Sequence, residues 1–177
     1  MTVGRVELEL KRKLRRTWAT FFGMHGRLFP VQVKVIPVVL AGKNAVVASP
    51  TASGKTEAVV APLTERCLGE GWEGLSILYI SPTRALAKDI HHRLKDQLSE
   101  LDISLLVRIG DRPLFNPNVP PEFLITTPES LDSLICRYNS NFEDVKAVVL
   151  DEIHFLDNTY RGDQLRILLR RLKRIAK

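Results

Sequence analysis

The sequence predicts an α/β fold, a parallel sheet with helices on both faces. Three observations carry that prediction. Short runs of valine, isoleucine and leucine recur along the chain, and longer stretches between them place apolar residues at three- and four-residue steps. The runs are apolar at nearly every position, the pattern of strands buried on both faces, and two of them lead straight into polar turns rich in Ser, Thr, Asp or Glu.

In chain order, Val6, Leu10, Leu14, Trp18 and Phe21 predict one helix over 5–22, ended by Gly23 and Gly26. Pro30 opens a second helix through Val31, Val35 and Leu40, and residues 41–44 turn the chain. Strands follow at 45–48, 76–80, 105–109, 123–126 and 147–150, with helices over 55–68, 85–98, 128–138 and 162–176. The stretch 110–121 holds four prolines and two asparagines, so it reads as a long surface loop. No internal repeat, low-complexity tract or linker interrupts the pattern. The reading is one domain over 1–177, with a helical extension at 1–28 and the motif-bearing part at 29–177.

Composition narrows the class. At 177 residues the chain buries roughly 70% of its unfolded surface, enough for a core without staples. Hydrophobic residues at 45% and charged at 26% argue against a disordered or collagen-like chain. No apolar run reaches the ~18 residues of a membrane span. Residues 1–7 lack the layout of a secretory signal, so the expectation is a protein of the cytoplasm or nucleoid with no membrane partner. Cys67 and Cys136 stand alone in apolar surroundings and read as reduced core thiols. The 26 Lys and Arg against 20 Asp and Glu leave 26 − 20 = +6, which favours a polyanionic partner. The excess gathers at Lys11, Arg12, Lys13, Arg15 and Arg16 and again over 161–177; both stretches read as amphipathic helices with either a solvated or a nucleic-acid-facing side.

Two stretches carry chemistry. Ser49-Pro50-Thr51-Ala52-Ser53-Gly54-Lys55-Thr56 lies between a predicted strand and a predicted helix, the setting of a phosphate-binding loop. Backbone N–H groups of Ala52, Ser53, Gly54 and Lys55 can converge on an anion at the helix N-terminus. Lys55 would reach the β- and γ-phosphates of ATP, and the Thr56 hydroxyl would hold Mg²⁺. Ser49 replaces the usual first glycine, which demands only an allowed backbone angle there. The second stretch, Ala147-Val148-Val149-Leu150-Asp151-Glu152-Ile153-His154, ends a strand in two carboxylates. Asp151 would hold Mg²⁺ through water, and Glu152 would orient and deprotonate the attacking water.

Together these elements resemble the first RecA-like domain of superfamily 2 helicases, with Asp-Glu-Ile-His as a DExH-box variant. Pro82-Thr83-Arg84-Ala85-Leu86-Ala87 is similar to that family's P-T-R-E-L-A segment, and Thr126-Thr127-Pro128-Glu129-Ser130 to its T-P-E-S segment. Phe29-Pro30-Val31-Gln32 matches the upstream glutamine motif. All occur in family order over about 21–172, and their forms resemble the large-helicase-related and Ski-like branches. The resemblance implies that Gln32 reads adenine, which suits an amide that donates and accepts at once. It implies a stacking aromatic, Phe22 or Phe29, with Trp18 and Phe21 as alternative core residues. It further implies that Arg84, Thr127 with the N–H groups of the helix after it, and the backbone at Gly110 grip single-stranded DNA or RNA by its phosphates. Asp111 stands where the family often has a second glycine, and Ser130 where DEAD-box members have an arginine. His154 would couple the nucleotide site to the bound strand, while His25, His91 and His92 read as surface residues.

The family's next motif, Ser-Ala-Thr, does not occur in the sequence. The resemblance places its strand between the phosphate-loop strand and the Asp-Glu strand, so a sheet gap is expected there. The second RecA-like domain and its arginine fingers are missing as well, so the chain alone is expected to bind Mg-nucleotide weakly and turn it over negligibly. Two rival readings are a non-enzymatic docking module with a helicase-like fold and a P-loop ATPase acting on another substrate.

Overall fold

Four of the five expected strands form, and all are parallel, in a computed structural model that describes residues 3–24, 27–50, 52–110, 115–155 and 158–177. The chain divides into two compact units, Met1–Gly71 and Trp72–Lys177.

The second unit holds the sheet, with strands β1 (Ile77–Ile80), β2 (Leu105–Arg108), β3 (Phe123–Thr126) and β4 (Ala147–Leu150) in the order β2-β3-β1-β4. Ile77 is level with Phe123 and with Ala147, and Leu105 is level with Phe123. Every residue of β1 and β3 is buried, as their unbroken apolar sequence requires of central strands. Alternate residues divide the sheet into two faces. Leu78, Ile80 and Leu124 pack against Leu131, Leu134 and Ile135 of α6 (Pro128–Arg137) and Leu165, Leu168 and Leu172 of α7 (Tyr160–Ile175). The opposite face is covered by α5 (Arg84–Glu100), which buries Ala87, Ile90, Leu94 and Leu98. Helices therefore cover both faces, as expected.

Two helices of this unit start on side-chain caps. The Thr83 hydroxyl accepts the Leu86 N–H at 3.2 Å, and the Thr159 hydroxyl accepts the Gly162 N–H at 3.1 Å. Each such cap contributes about 1 kcal/mol.

The first unit is helical, with α1 (Val3–Lys13), α2 (Trp18–Phe22), α3 (Pro30–Leu40) and α4 (Lys55–Glu70). The single helix expected over 5–22 is two. The cause is Glu65 on α4, whose buried carboxylate accepts the N–H groups of Arg16 at 2.9 Å and Thr17 at 3.0 Å and the Thr17 hydroxyl at 3.1 Å. Those amide groups are turned to α4, and a new helix starts at Trp18.

The strand expected at 45–48 does not form. Residues 45–50 are irregular and mostly exposed, Val46 to 87%, and no strand among the described residues pairs with them. A strand is a hydrogen-bonded relation between neighbours, so apolar sequence without a ladder leaves only extended chain. β4 likewise stands at an edge of the sheet.

A third correction concerns Cys136. Both cysteines are free, and Cys67 is buried, but Cys136 is exposed on the outer side of α6, where its sulfur accepts from the Arg171 guanidinium at 3.6 Å. No helix among the described residues is long and apolar enough to cross a membrane.

Candidate functional site

In the first unit, α4 begins at Lys55 immediately after Gly54, which takes the left-handed conformation with φ 80° and ψ 27°. No side chain caps this 16-residue helix. A β-carbon at Gly54 would lie 2.3 Å from Gln32 Nε2 and 3.0 Å from Phe29 Cδ2, so both angle and space require glycine. The crowding comes from Gln32, only 4% exposed, whose Nε2 donates to the Gly54 carbonyl at 3.3 Å while its Oε1 accepts the Phe29 N–H at 2.9 Å. One amide thus fastens the loop to the first turn of α3.

The loop also closes on itself. Lys55 Nζ donates to the Ser49 carbonyl at 2.8 Å, the Ser53 hydroxyl donates to the Pro50 carbonyl at 2.7 Å, and the Ser49 and Ser53 hydroxyls are hydrogen bonded. Ser49 needs no unusual angle; the positive φ falls on Ala52, at 57°. Thr51 lies outside the described residues. The loop therefore presents an ammonium, two hydroxyls and the positive end of a helix in one turn, a combination that concentrates on an anion. Thr56 is the second residue of α4. Of the two aromatics considered for stacking, Phe22 is buried in the core, as is Phe21, whereas Phe29 is 48% exposed and lies against Gly54.

In the second unit, the Asp151 N–H extends the ladder of β4 by donating to the Ile80 carbonyl at 2.9 Å. Glu152 then turns the chain with φ 43°, a left-handed angle that costs a non-glycine residue about 1 kcal/mol or more and is characteristic of functional turns. His154 Nδ1 lies 3.2 Å from Glu152 Oε2, and its ring packs 4.3 Å from that of Phe155. Both acids stand at the carboxyl end of the sheet, where open α/β sheets take ligands. Among the described residues no group of three or more His, Cys, Asp and Glu gathers to form a metal cage.

The three residues expected to grip a strand come together at the same end of the sheet. Arg84 opens α5, and its guanidinium carbon lies 3.7 Å from where a β-carbon of Gly110 would be. The Gly110 N–H donates to the Ser130 hydroxyl at 2.9 Å, and the Thr127 hydroxyl donates to the same oxygen at 3.3 Å. Ser130, read from sequence only as the loss of a cation, is therefore the joint between Gly110 and Thr127. Its place three residues after Thr127, in the first turn of a helix, was the available signal. Thr127 holds the N-cap position of α6, but its side chain makes no cap bond. Burial pushes the Glu129 carboxyl upward, but the Arg161 hydrogen bond, with smaller help from Glu129's own amide, Thr127 and the Arg161 charge, outweighs it and leaves the group below its ordinary value. His91 and His92 lie on α5, partly buried and exposed, while Asp111 and His25 lie outside the described residues.

Comparison with known proteins gives these two regions a common frame. Residues 29–177 match the DEAD/DEAH box helicase family. The ATP-dependent helicase Lhr-Core of Sulfolobus acidocaldarius is 38% identical over 159 residues, covering 79% of this chain and 18% of that protein. Among solved structures, the DUF1998 helicase MrfA bound to DNA and AMPPNP superposes with a TM-score of 0.76 at 27% identity, over 92% of this chain and 24% of that one. Mss116p bound to ssRNA and AMP-PNP gives a TM-score of 0.84 at 22% identity, over 97% of this chain and 37% of that one, a likeness of fold alone. The chain spans about a fifth of the length of the curated relatives it matches, 18% in one and 21% in another. The matched span runs from the glutamine motif to the last helix and takes in both turns described above, and the chain belongs to the DEAD/DEAH box helicase family, with the α/β fold of its N-terminal RecA-like domain.

Proposed function

We propose that this chain is the ATP-binding domain of an ATP-dependent DNA or RNA helicase, which couples ATP binding and hydrolysis to binding and unwinding of nucleic acid. The observation that supports this most is the phosphate loop, in which Gln32 holds Gly54 and Lys55 holds the Ser49 carbonyl at the start of α4. Lys55 then holds the β- and γ-phosphates, with the N–H groups of Ala52, Ser53 and Gly54 beside it. Gln32 keeps a second amide N–H and a further Oε1 lone pair for the adenine edge, and Phe29 is the exposed aromatic placed to stack on the base.

Thr56 and Asp151 supply oxygen donors, the chemistry Mg²⁺ selects, and they would hold it, Asp151 through water. When bound, Mg²⁺ neutralises charge gathering on the phosphate oxygens. Glu152 accepts the proton of the attacking water, and His154 beside it carries the state of that carboxylate toward the strand-binding end. Arg84, Thr127 and Gly110 hold the backbone of a single strand. A second RecA-like domain supplies the arginine that completes the transition state, so the chain by itself turns over ATP negligibly. The reading places the protein in the cytoplasm or nucleoid.

A filter-binding titration with single-stranded DNA and RNA tests the nucleic-acid half of this reading. Retention should fall steeply between about 50 and about 200 mM salt, and Arg84→Ala should weaken it. No retention, or retention indifferent to salt, would contradict it.

A further inference from the structure

Arg108 ends β2 with its guanidinium inside the protein. The residue is 4% exposed, and its Nε and Nη1 meet no hydrogen-bond partner among the described residues. A guanidinium cannot shed its proton, so unmatched donors on it are a standing cost to the folded chain. Most buried arginines avoid that cost with a carboxylate or carbonyl.

The register says where this side chain lies. Arg108 is level with Thr126, and Leu106 two residues before it is level with Leu124, which packs against Leu131, Leu134 and Ile135 of α6. Residues two apart share a face, so Arg108 is on the face that α6 covers. Because α6 begins at Pro128, directly after Thr126 and Thr127, its first turn overlies the end of that face. The Gly110–Ser130 bond ties the backbone two residues past Arg108 to the same turn. No side chain caps α6 there, since the Thr127 hydroxyl is turned to Ser130. The carboxylate of that turn, Glu129, pairs with Arg161 and does not serve Arg108. A positive helix end and a guanidinium with two unpartnered nitrogens thus lie on one face of the sheet, both suited to an anion.

We infer that Arg108 receives a phosphodiester group of the bound single strand at the start of α6, beside Arg84, Thr127 and Gly110. The inference rests on the strand-binding reading and adds to it a deep contact, which salt screens less than a surface one. The contact carries no base preference, because it is made to phosphate.

The test pairs stability with binding in Arg108→Met and Arg108→Lys, using thermal unfolding and fluorescence anisotropy of a labelled single-stranded oligonucleotide over a range of salt. Removing an unmatched buried charge should raise the melting temperature of Arg108→Met by about 2–4 °C. Affinity should fall about tenfold, and the slope against salt should shrink by about 0.7, one phosphate contact on a single strand. Arg108→Lys keeps the charge without the fork, so it should keep the slope while losing part of the affinity. A lowered melting temperature in Arg108→Met would mean the guanidinium serves the fold; unchanged affinity and slope, or a slope lost equally in Arg108→Lys, would equally overturn the inference. Arg84→Ala in the same titration separates the two readings. Weakening there with Arg108→Met unaltered keeps the strand site and removes Arg108 from it, whereas no binding by the unaltered chain removes both.

Discussion

Ala45-Val46-Val47-Ala48 runs into Ser49-Pro50-Thr51 and then a helix, and Ile77-Leu78-Tyr79-Ile80 runs into Ser81-Pro82-Thr83 and then a helix. The second quartet is a central strand, no residue of it more than 2% exposed, with β3 on one side and β4 on the other. The first is extended chain with Val46 87% exposed and no ladder among the described residues. Similar local sequence therefore gives a core element in one place and a surface segment in the other. What separates them is long-range pairing, which satisfies the backbone and covers the side chains together.

Substitution at matched positions gives the largest expected contrast. Leu78→Ala removes a fully buried side chain from the cluster with Leu124 and Leu131 and should cost about 2–5 kcal/mol in urea unfolding. Val46→Ala, at the corresponding position of the exposed quartet, should stay within about 0.5 kcal/mol. Comparable losses at both would break the comparison.

The two turns also end differently, and that difference sharpens it. The helix after Ser49-Pro50-Thr51 starts on Gly54, whose angle and crowding by Gln32 exclude a side chain. Gly54→Ala should therefore cost about 1–3 kcal/mol and loosen the Gln32 bond, read as lower thermal stability together with weaker nucleotide binding. The helix after Ser81-Pro82-Thr83 starts on a hydroxyl cap, so Thr83→Ala should cost about 1 kcal/mol in thermal unfolding and leave nucleotide binding alone. Nucleotide binding that falls with Thr83→Ala and not with Gly54→Ala would reverse the assignment of the two turns.

The same contrast marks what the sequence could and could not tell. β1, β3 and the helices around them were legible because their residues are apolar at every position or at helical steps, and that pattern already states how they are covered. The break before Trp18 was not, because it depends on Glu65, 48 residues beyond Thr17. Neither was the exposure of Cys136, whose sulfur meets the Arg171 guanidinium of α7 instead of the apolar core. Residue type and order alone single out the glycine, the lysine and the paired acids as candidates, and their roles belong to the proposed function. The work of Gln32 on Gly54 and of Ser130 on Gly110 was not, since each joins residues 22 and 20 positions apart that only the fold brings together.

Mg²⁺-dependent nucleotide binding that needs both Lys55 and Asp151 is the core of the proposed function. A fluorescence titration with a non-hydrolysable ATP analogue, with Mg²⁺ and with a chelator, tests it on the unaltered chain, Lys55→Ala and Asp151→Ala. In Mg²⁺ each substitution should weaken binding by about tenfold, roughly 1.4 kcal/mol, and chelation should weaken the unaltered chain while leaving Asp151→Ala nearly unchanged. Mg²⁺-dependent binding by Asp151→Ala equal to that of the unaltered chain would contradict it.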